Sequence, residues 1–142
     1  MMKVLFVCHG NICRSVSAQY IFQDLVNRRG LTSEFVIDSA ATSTEEIGNA
    51  IYPPMKAALE RRGVTVGTHQ ARQLQRSDYE AYDLLIGMDE ENMFYMRRIL
   101  GEDPKGKIRR GRFIISWSTP GVQTRSSTIR GTRGSSMRAQ RR

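Results

Sequence analysis

Val7-Cys8-His9-Gly10-Asn11-Ile12-Cys13-Arg14-Ser15 follows an apolar run, Val4-Leu5-Phe6-Val7. That run reads as a short buried β-strand. The residues after it, 16–26, place apolar side chains at helical spacing and read as an amphipathic helix. Cys8 therefore stands where a strand ends and Arg14 where a helix begins. Backbone N–H groups at a helix start lack internal partners, and the helix dipole puts partial positive charge there, so the junction favours an anion. The same field favours the thiolate of Cys8, which is its nucleophilic form. The planar fork of Arg14 can hold two oxygens of a phosphate, and Ser15 can donate a hydrogen bond to the sulfur. Cys, five residues, Arg, Ser is the spacing of a loop wrapped around one phosphate. Cys8 alone would read equally well as a small buried apolar residue; the context of Arg14 and Ser15 decides against it.

The 142 residues suit one domain around one core. No stretch is long and apolar enough to span a membrane. Met1-Met2-Lys3 leads directly into a strand rather than a signal peptide. Two cysteines five positions apart do not make a secreted disulfide framework. A cytoplasmic protein is expected. Charge divides the chain in two. Residues 1–103 hold all 14 acidic side chains and 11 basic ones, net −3, whereas residues 104–142 hold 11 basic and no acidic ones, net +11. The overall pI of about 10.1 describes neither part.

Further along, Arg28-Arg29-Gly30 closes the first helix, with cations at its negative pole and a glycine beyond. Residues 34–39 read as a second strand and 40–52 as a loop. Pro53-Pro54 opens a helix over 55–62. Ser77-Asp78-Tyr79-Glu80 has capping-box spacing, so a short helix is expected there with Ser77 as its cap. Residues 83–88 read as a third strand. Asp89-Glu90-Glu91-Asn92 begins a helix that runs to Leu100, and Lys107-Ile108 begins a fourth strand. Alternating strands and helices imply a three-layer α/β fold with a four-stranded parallel sheet. Ligands in such folds sit beyond the carboxyl ends of the strands, where Cys8, Ser39 and Met88-Asp89 are expected. Tyr79 and Tyr82 are read as packing residues.

Cys8-His9-Gly10-Asn11-Ile12-Cys13-Arg14-Ser15 resembles the phosphate loop of the low-molecular-weight protein tyrosine phosphatases. Residues 38–43, Asp-Ser-Ala-Ala-Thr-Ser, resemble the family's second-strand segment, and residues 69–74, His-Gln-Ala-Arg-Gln-Leu, the segment beside the loop. The match covers residues 2 to about 109, and residues 1–110 are read as the phosphatase-like domain. The resemblance implies a phosphocysteine mechanism with Cys8 and Arg14 as catalytic residues. His9, Gly10, Asn11, Ile12, Cys13 and Ser15 complete the phosphate-binding loop. His69 is implied to steady that loop through Asn11, and Ser39 to support it. His9 is assigned no chemistry. The family also implies a reversible Cys8–Cys13 disulfide that protects the nucleophile. Ile12 resembles the phosphotyrosine branch; a related phosphoarginine branch usually has threonine there. Arsenate reductases of this fold need a further cysteine pair, and no cysteine follows Cys13. No metal or other cofactor is expected. The expected partners are a phosphotyrosine-containing protein or peptide and inorganic phosphate, with no membrane.

The chain departs from the family at its end. The family's general acid is an aspartate in an Asp-Pro-aromatic segment well beyond the fourth strand, and no Asp or Glu follows Asp103 here. Asp103-Pro104 precedes that strand, so Asp103 is not assigned the role, and no general acid is identified. Residues 111–142 are rich in Arg, Ser, Thr and Gly and read as irregular or disordered. A shifted reading frame is the more economical account of them. Ser118-Thr119-Pro120-Gly121 can be encoded so that one offset reads Asp-Pro-Trp. At the same offset, Ser126-Ser127-Thr128-Ile129 can read Phe-Asp-Asp. The basic tail also suggests a nucleic-acid-binding protein, but only Phe113 and Trp117 could stack on bases, and nucleic acid is not the expected partner. The leading expectation is a phosphotyrosine protein phosphatase impaired by the missing acid. The alternative is a catalytically dead phosphate- or phosphotyrosine-binding module.

Overall fold

The computed structural model describes residues 1–111. Residues 112–142, and with them the frame-shift reading and the tail's aromatics, therefore lie outside the described residues. β1 (Met2–Cys8) is followed by α1 (Arg14–Arg28), a 3₁₀ turn (Thr32–Glu34), β2 (Phe35–Ala41), α2 (Pro53–Arg61), α3 (Asp78–Ala81), β3 (Leu84–Gly87), α4 (Glu90–Leu100) and β4 (Ile108–Arg110). The strands form one parallel sheet in the order β2-β1-β3-β4, so the expected α/β architecture holds. β1 is central. The chain leaves it first towards β2 on one side and later returns to β3 on the other. The carboxyl end of β1 is therefore the switch point, the place where such sheets open a crevice for a ligand. Cys8 is its last residue.

The apolar run of β1 is buried on both faces because helices cover both. Val4, Phe6 and Cys8 face α1 and pack with Ala18, Val26 and Phe22. Leu5 and Val7 face the other way, towards Leu85, Met93, Met96 and Ile108. Period-two alternation along one strand thus sends the nucleophile candidate to the α1 face. α2 joins the α1 layer through Leu59, which packs with Val16 and Ile21.

Several local expectations change. Residues 32–34 form a 3₁₀ turn, so β2 starts one residue later than expected and runs on to Ala41. Ser39 is therefore inside the strand rather than at its end. α2 begins at Pro53 itself, where proline loses no intrahelical hydrogen bond. Ser77 does not cap α3: its backbone is already helical and its side chain makes no capping hydrogen bond. Asp78 tightens that turn instead, its carboxylate accepting from the Gln75 N–H at 2.7 Å. The capping box forms at α4. Asp89 accepts from the Asn92 N–H at 2.8 Å, and Asn92 Oδ1 accepts from the N–H of Asp89 at 3.2 Å.

Candidate active site

The residues between β1 and α1 turn back over the strand end. Asn11 takes φ = 60°, the left-handed region that asparagine tolerates better than most side chains. That turn aims its backbone N–H at Cys8 Sγ, 3.3 Å away. Ser15 Oγ lies 3.1 Å from the same sulfur. The Asn11 side chain explains the role of that hydroxyl. Its Nδ2 donates to Ser15 Oγ at 2.8 Å, which leaves the Ser15 proton free to point at a Cys8 thiolate. Asn11 and Ser15 are both fully buried, so water cannot substitute for these bonds without opening the loop.

His69 and Arg72 hold Asn11 from outside. The His69 ring donates from Nε2 to the Asn11 carbonyl at 2.7 Å; since a carbonyl only accepts, that nitrogen carries the proton. The Arg72 N–H donates to Asn11 Oδ1 at 3.2 Å. Arg72 is itself pinned by a two-pronged contact with Asp78 at 3.1 and 3.2 Å. A continuous chain therefore runs from Asp78 through Arg72, Asn11 and Ser15 to Cys8. Sequence reading placed His69 at Asn11 but missed the hold of Arg72, which acts through its backbone and so leaves no side-chain signature.

Ser39 does something different from the loop support expected of it. It pairs with Phe6 in the parallel register and so shares the α1 face of the sheet. Its hydroxyl donates to Gln19 Oε1 of α1 at 2.5 Å. Its described bonds tie the helix to the sheet, and any effect on the loop passes through α1.

Arg14 is the first residue of α1, and its Nη1 donates to Asp89 Oδ2 at 2.9 Å. Burial works to raise the Asp89 carboxyl. The Asn92 N–H, the Arg14 hydrogen bond and the charges of Arg14 and Arg110 outweigh it, and Asp89 stays ionised below the ordinary carboxylate range. Burial, with the nearby Cys8, pushes the Cys13 thiol up, and the Arg14 charge only partly offsets this. Cys8 and Cys13 are both free thiols. On the other rim, His9 Nε2 lies 3.1 Å from Glu45 Oε1. The segment after β2 is latched to the loop: the N–H groups of Thr42 and Ser43 donate to the carbonyls of Cys8 and His9 at 2.9 and 3.1 Å. Gly10 is hemmed in by Glu46, whose Cγ would lie 3.3 Å from an added Cβ. The Ile12 carbonyl accepts from the Tyr52 N–H at 2.8 Å.

Asp103 lies before β4, at the amino edge of the parallel sheet, opposite the edge that carries Cys8. Its carboxylate accepts from the Tyr79 hydroxyl at 2.6 Å and from the N–H groups of Lys107 and Ile108 at 2.7 and 3.1 Å. Burial would raise this carboxyl, but these donors together with the Arg97 charge hold it low. Asp103 is a structural brace. Among the described residues, no group of three or more His, Cys, Asp or Glu side chains is placed to hold a metal ion. No described helix is long and apolar enough to cross a membrane.

The arrangement is a phosphate-sized cradle: a sulfur backed by hydroxyl and amide donors, under a helix N-terminus, with a guanidinium at its rim. The family model for low molecular weight phosphotyrosine protein phosphatases matches residues 3–120. A chicken low molecular weight phosphotyrosine protein phosphatase is 41% identical over 108 residues, covering 75% of this chain and 68% of its own. The low molecular weight protein-tyrosine-phosphatase YfkJ of Bacillus subtilis is 38% identical over 110 residues, 78% of this chain and 70% of its own; its crystal structure aligns with a TM-score of 0.74, covering 78% of this chain and 69% of that one. A Drosophila arginine phosphatase is 31% identical with a TM-score of 0.69, covering 77% of this chain and 70% of that one. The loop, the parallel sheet that presents it and these relatives agree, and the chain belongs to the low molecular weight phosphotyrosine protein phosphatase family.

Proposed function

We propose that this chain hydrolyses phosphotyrosine in proteins or peptides, with Cys8 as nucleophile and Arg14 as the side chain that clamps the phosphoryl oxygens. The observation that carries the reading is the convergence of Ser15 Oγ and the Asn11 N–H on Cys8 Sγ, at 3.1 and 3.3 Å. A sulfur met by two such neighbours at the end of β1 is placed to act as a nucleophile. In the first step Cys8 attacks phosphorus and the ester oxygen leaves. In the second, water displaces the thiolate from the phosphocysteine and releases inorganic phosphate. Backbone N–H groups at the start of α1 and the Arg14 fork stabilise the equatorial oxygens in both steps. Asn11, His69 and Arg72 act by holding the loop in shape. Cys13, with its raised pKa, stays a thiol and is suited to capture an oxidised Cys8 as a disulfide.

Ile12 supports phosphotyrosine over the phosphoarginine named for the Drosophila relative. The sequence has no carboxylate beyond Asp103 to serve as the family's acid. Loss of a general acid costs about 10²–10⁴-fold on esters whose leaving group needs a proton, so activated aryl phosphates are the substrates that depend least on the absent carboxylate. A phosphate-binding module without turnover is not favoured, because the compared relatives are named as phosphatases. The free Cys8 and Cys13 support a cytoplasmic setting. The test is hydrolysis of p-nitrophenyl phosphate by the full chain and by Cys8→Ser. Turnover confined to the chain with Cys8 is the expected result; equal turnover by the variant would refute the assignment.

A further inference from the structure

Protonation of the leaving group needs a proton donor at the carboxyl edge of the sheet. Three described acidic groups near that edge are committed elsewhere. Asp89 caps α4 and holds Arg14, ionised and held low. Glu90 pairs with Arg110 at 2.8 Å. Glu46 accepts from Asn49 Nδ2 at 2.7 Å. Asp103 is on the opposite edge of the sheet. His9 remains. It directly follows the nucleophile, in the loop that wraps the phosphate, and its ring is half-exposed. Its carbonyl is fixed by the Ser43 N–H at 3.1 Å and by the Ser43 hydroxyl at 2.9 Å. Nε2 is turned to the Glu45 carboxylate at 3.1 Å, and Nδ1 makes no hydrogen bond among those described. A histidine oriented by a carboxylate through one nitrogen can exchange a proton at the other, and histidine is the side chain suited to do so near neutral pH.

We propose that the His9–Glu45 pair is a proton-transfer dyad of this active site, with His9 as its catalytic residue and Glu45 as its positioning residue. The inference rests on the phosphatase reading above. As the Cys8 S–P bond forms, the P–O ester bond breaks. Its electron pair stays on the ester oxygen, which takes the Nδ1 proton of the His9 imidazolium. The Glu45 carboxylate balances the positive charge that His9 carries before the transfer. In the second step water attacks phosphorus and the S–P pair returns to Cys8 as thiolate. Neutral His9 takes the proton the water gives up and regains its charge. Ester and water become alcohol and phosphate, and no other reactant is needed. Among the described residues, the other charged or titratable groups around this rim are Glu46 after β2, Arg14 on α1, Asp89 and Glu90 at the start of α4, Arg110 of β4, and the Cys8 and Cys13 thiols of the loop.

The experiment compares kcat/KM across pH for phenyl phosphate and p-nitrophenyl phosphate, in the full chain, His9→Gln and Glu45→Gln. This ratio reports the steps up to departure of the leaving group. Phenolate needs a proton and p-nitrophenolate hardly does. His9→Gln is expected to lose about 100-fold or more on phenyl phosphate, far less on p-nitrophenyl phosphate, and to lose the alkaline limb of the phenyl phosphate profile. Glu45→Gln, which keeps the ring but removes the carboxylate that orients it, should lose less on phenyl phosphate than His9→Gln does and little on p-nitrophenyl phosphate. Inhibition by inorganic phosphate, read alongside, should weaken in His9→Gln far less than turnover of phenyl phosphate falls. Parallel losses on both esters, or an unchanged phenyl phosphate profile, would overturn the dyad while leaving the Cys8 reading standing. Absence of Cys8-dependent turnover of either ester would overturn that reading and the dyad with it.

Discussion

At the scale of single residues, Asn11 carries more of the site than its polarity suggests. It holds a left-handed backbone and makes four contacts: its N–H to Cys8 Sγ, its side chain to Ser15 and from the Arg72 N–H, and its carbonyl from His69. Asn11→Gly separates these demands. Glycine adopts φ = 60° without strain, so the backbone turn survives while both side-chain bonds are lost. Ser15 keeps its contact with Cys8 and the Arg72 bond is part-buried, so each lost bond costs about 0.5–1.5 kcal/mol. We expect phosphate inhibition to weaken by roughly tenfold or more, since 1.4 kcal/mol is a factor of ten. A variant with unchanged inhibition by phosphate would show that the Asn11 side chain does not hold the cradle.

At the scale of elements, two helix starts make opposite predictions. Ser77 has the spacing of a cap but makes no capping bond, whereas Asp89 makes a full capping box and also holds Arg14. In thermal unfolding, Ser77→Ala should change stability by less than about 0.5 kcal/mol and Asp89→Ala should cost about 1 kcal/mol. Asp89→Asn, an equally good cap, should keep the stability but loosen Arg14 and weaken phosphate inhibition. The same contrast shows what was legible in the sequence. β1 and its loop could be read because an apolar run, a Cys-x5-Arg-Ser spacing and a helical period all point to one junction. The parallel sheet, and the expectation of a ligand beyond the carboxyl ends of its strands, followed from the alternation of elements; the order β2-β1-β3-β4 did not, because alternation alone does not say on which side of β1 each later strand is laid. Ser77 misled because spacing carries no information about backbone angles, and Asp78 took over the turn. Ser39 misled because β2 extends two residues past it, so that its hydroxyl meets Gln19 on α1. The backbone grip of Arg72 on Asn11 and the Asp89–Arg14 pair join residues far apart in sequence, and no local pattern encodes them.

At the scale of the whole molecule, the candidate site and the Asp103 brace lie on opposite edges of the sheet. The carboxyl edge carries Cys8, Arg14, His9 and Asp89. The amino edge carries Asp103, which ties the start of β4 to Tyr79 of α3. Its folded carboxyl is held below the ordinary range. The sign follows: its contribution is present above the unfolded aspartate pKa, about 3.9, and is lost as pH falls through the lower folded value. Asp103→Asn should therefore melt lower than the parent at neutral pH, by roughly 1.5–3 kcal/mol of stability, and the gap should close in acid. Its turnover per folded molecule should be unchanged. A large loss of turnover in a folded Asp103→Asn protein would place this carboxylate in the chemistry after all.

The central claim is that Cys8 becomes phosphorylated during turnover. The direct measurement is acid quenching of the full chain during hydrolysis of p-nitrophenyl phosphate, followed by mass spectrometry of the peptides containing Cys8. A phosphoryl group on Cys8, absent without substrate and absent from Cys8→Ser, is the predicted result. Steady turnover with no phosphoryl group on Cys8, or with one on another residue, would contradict the account.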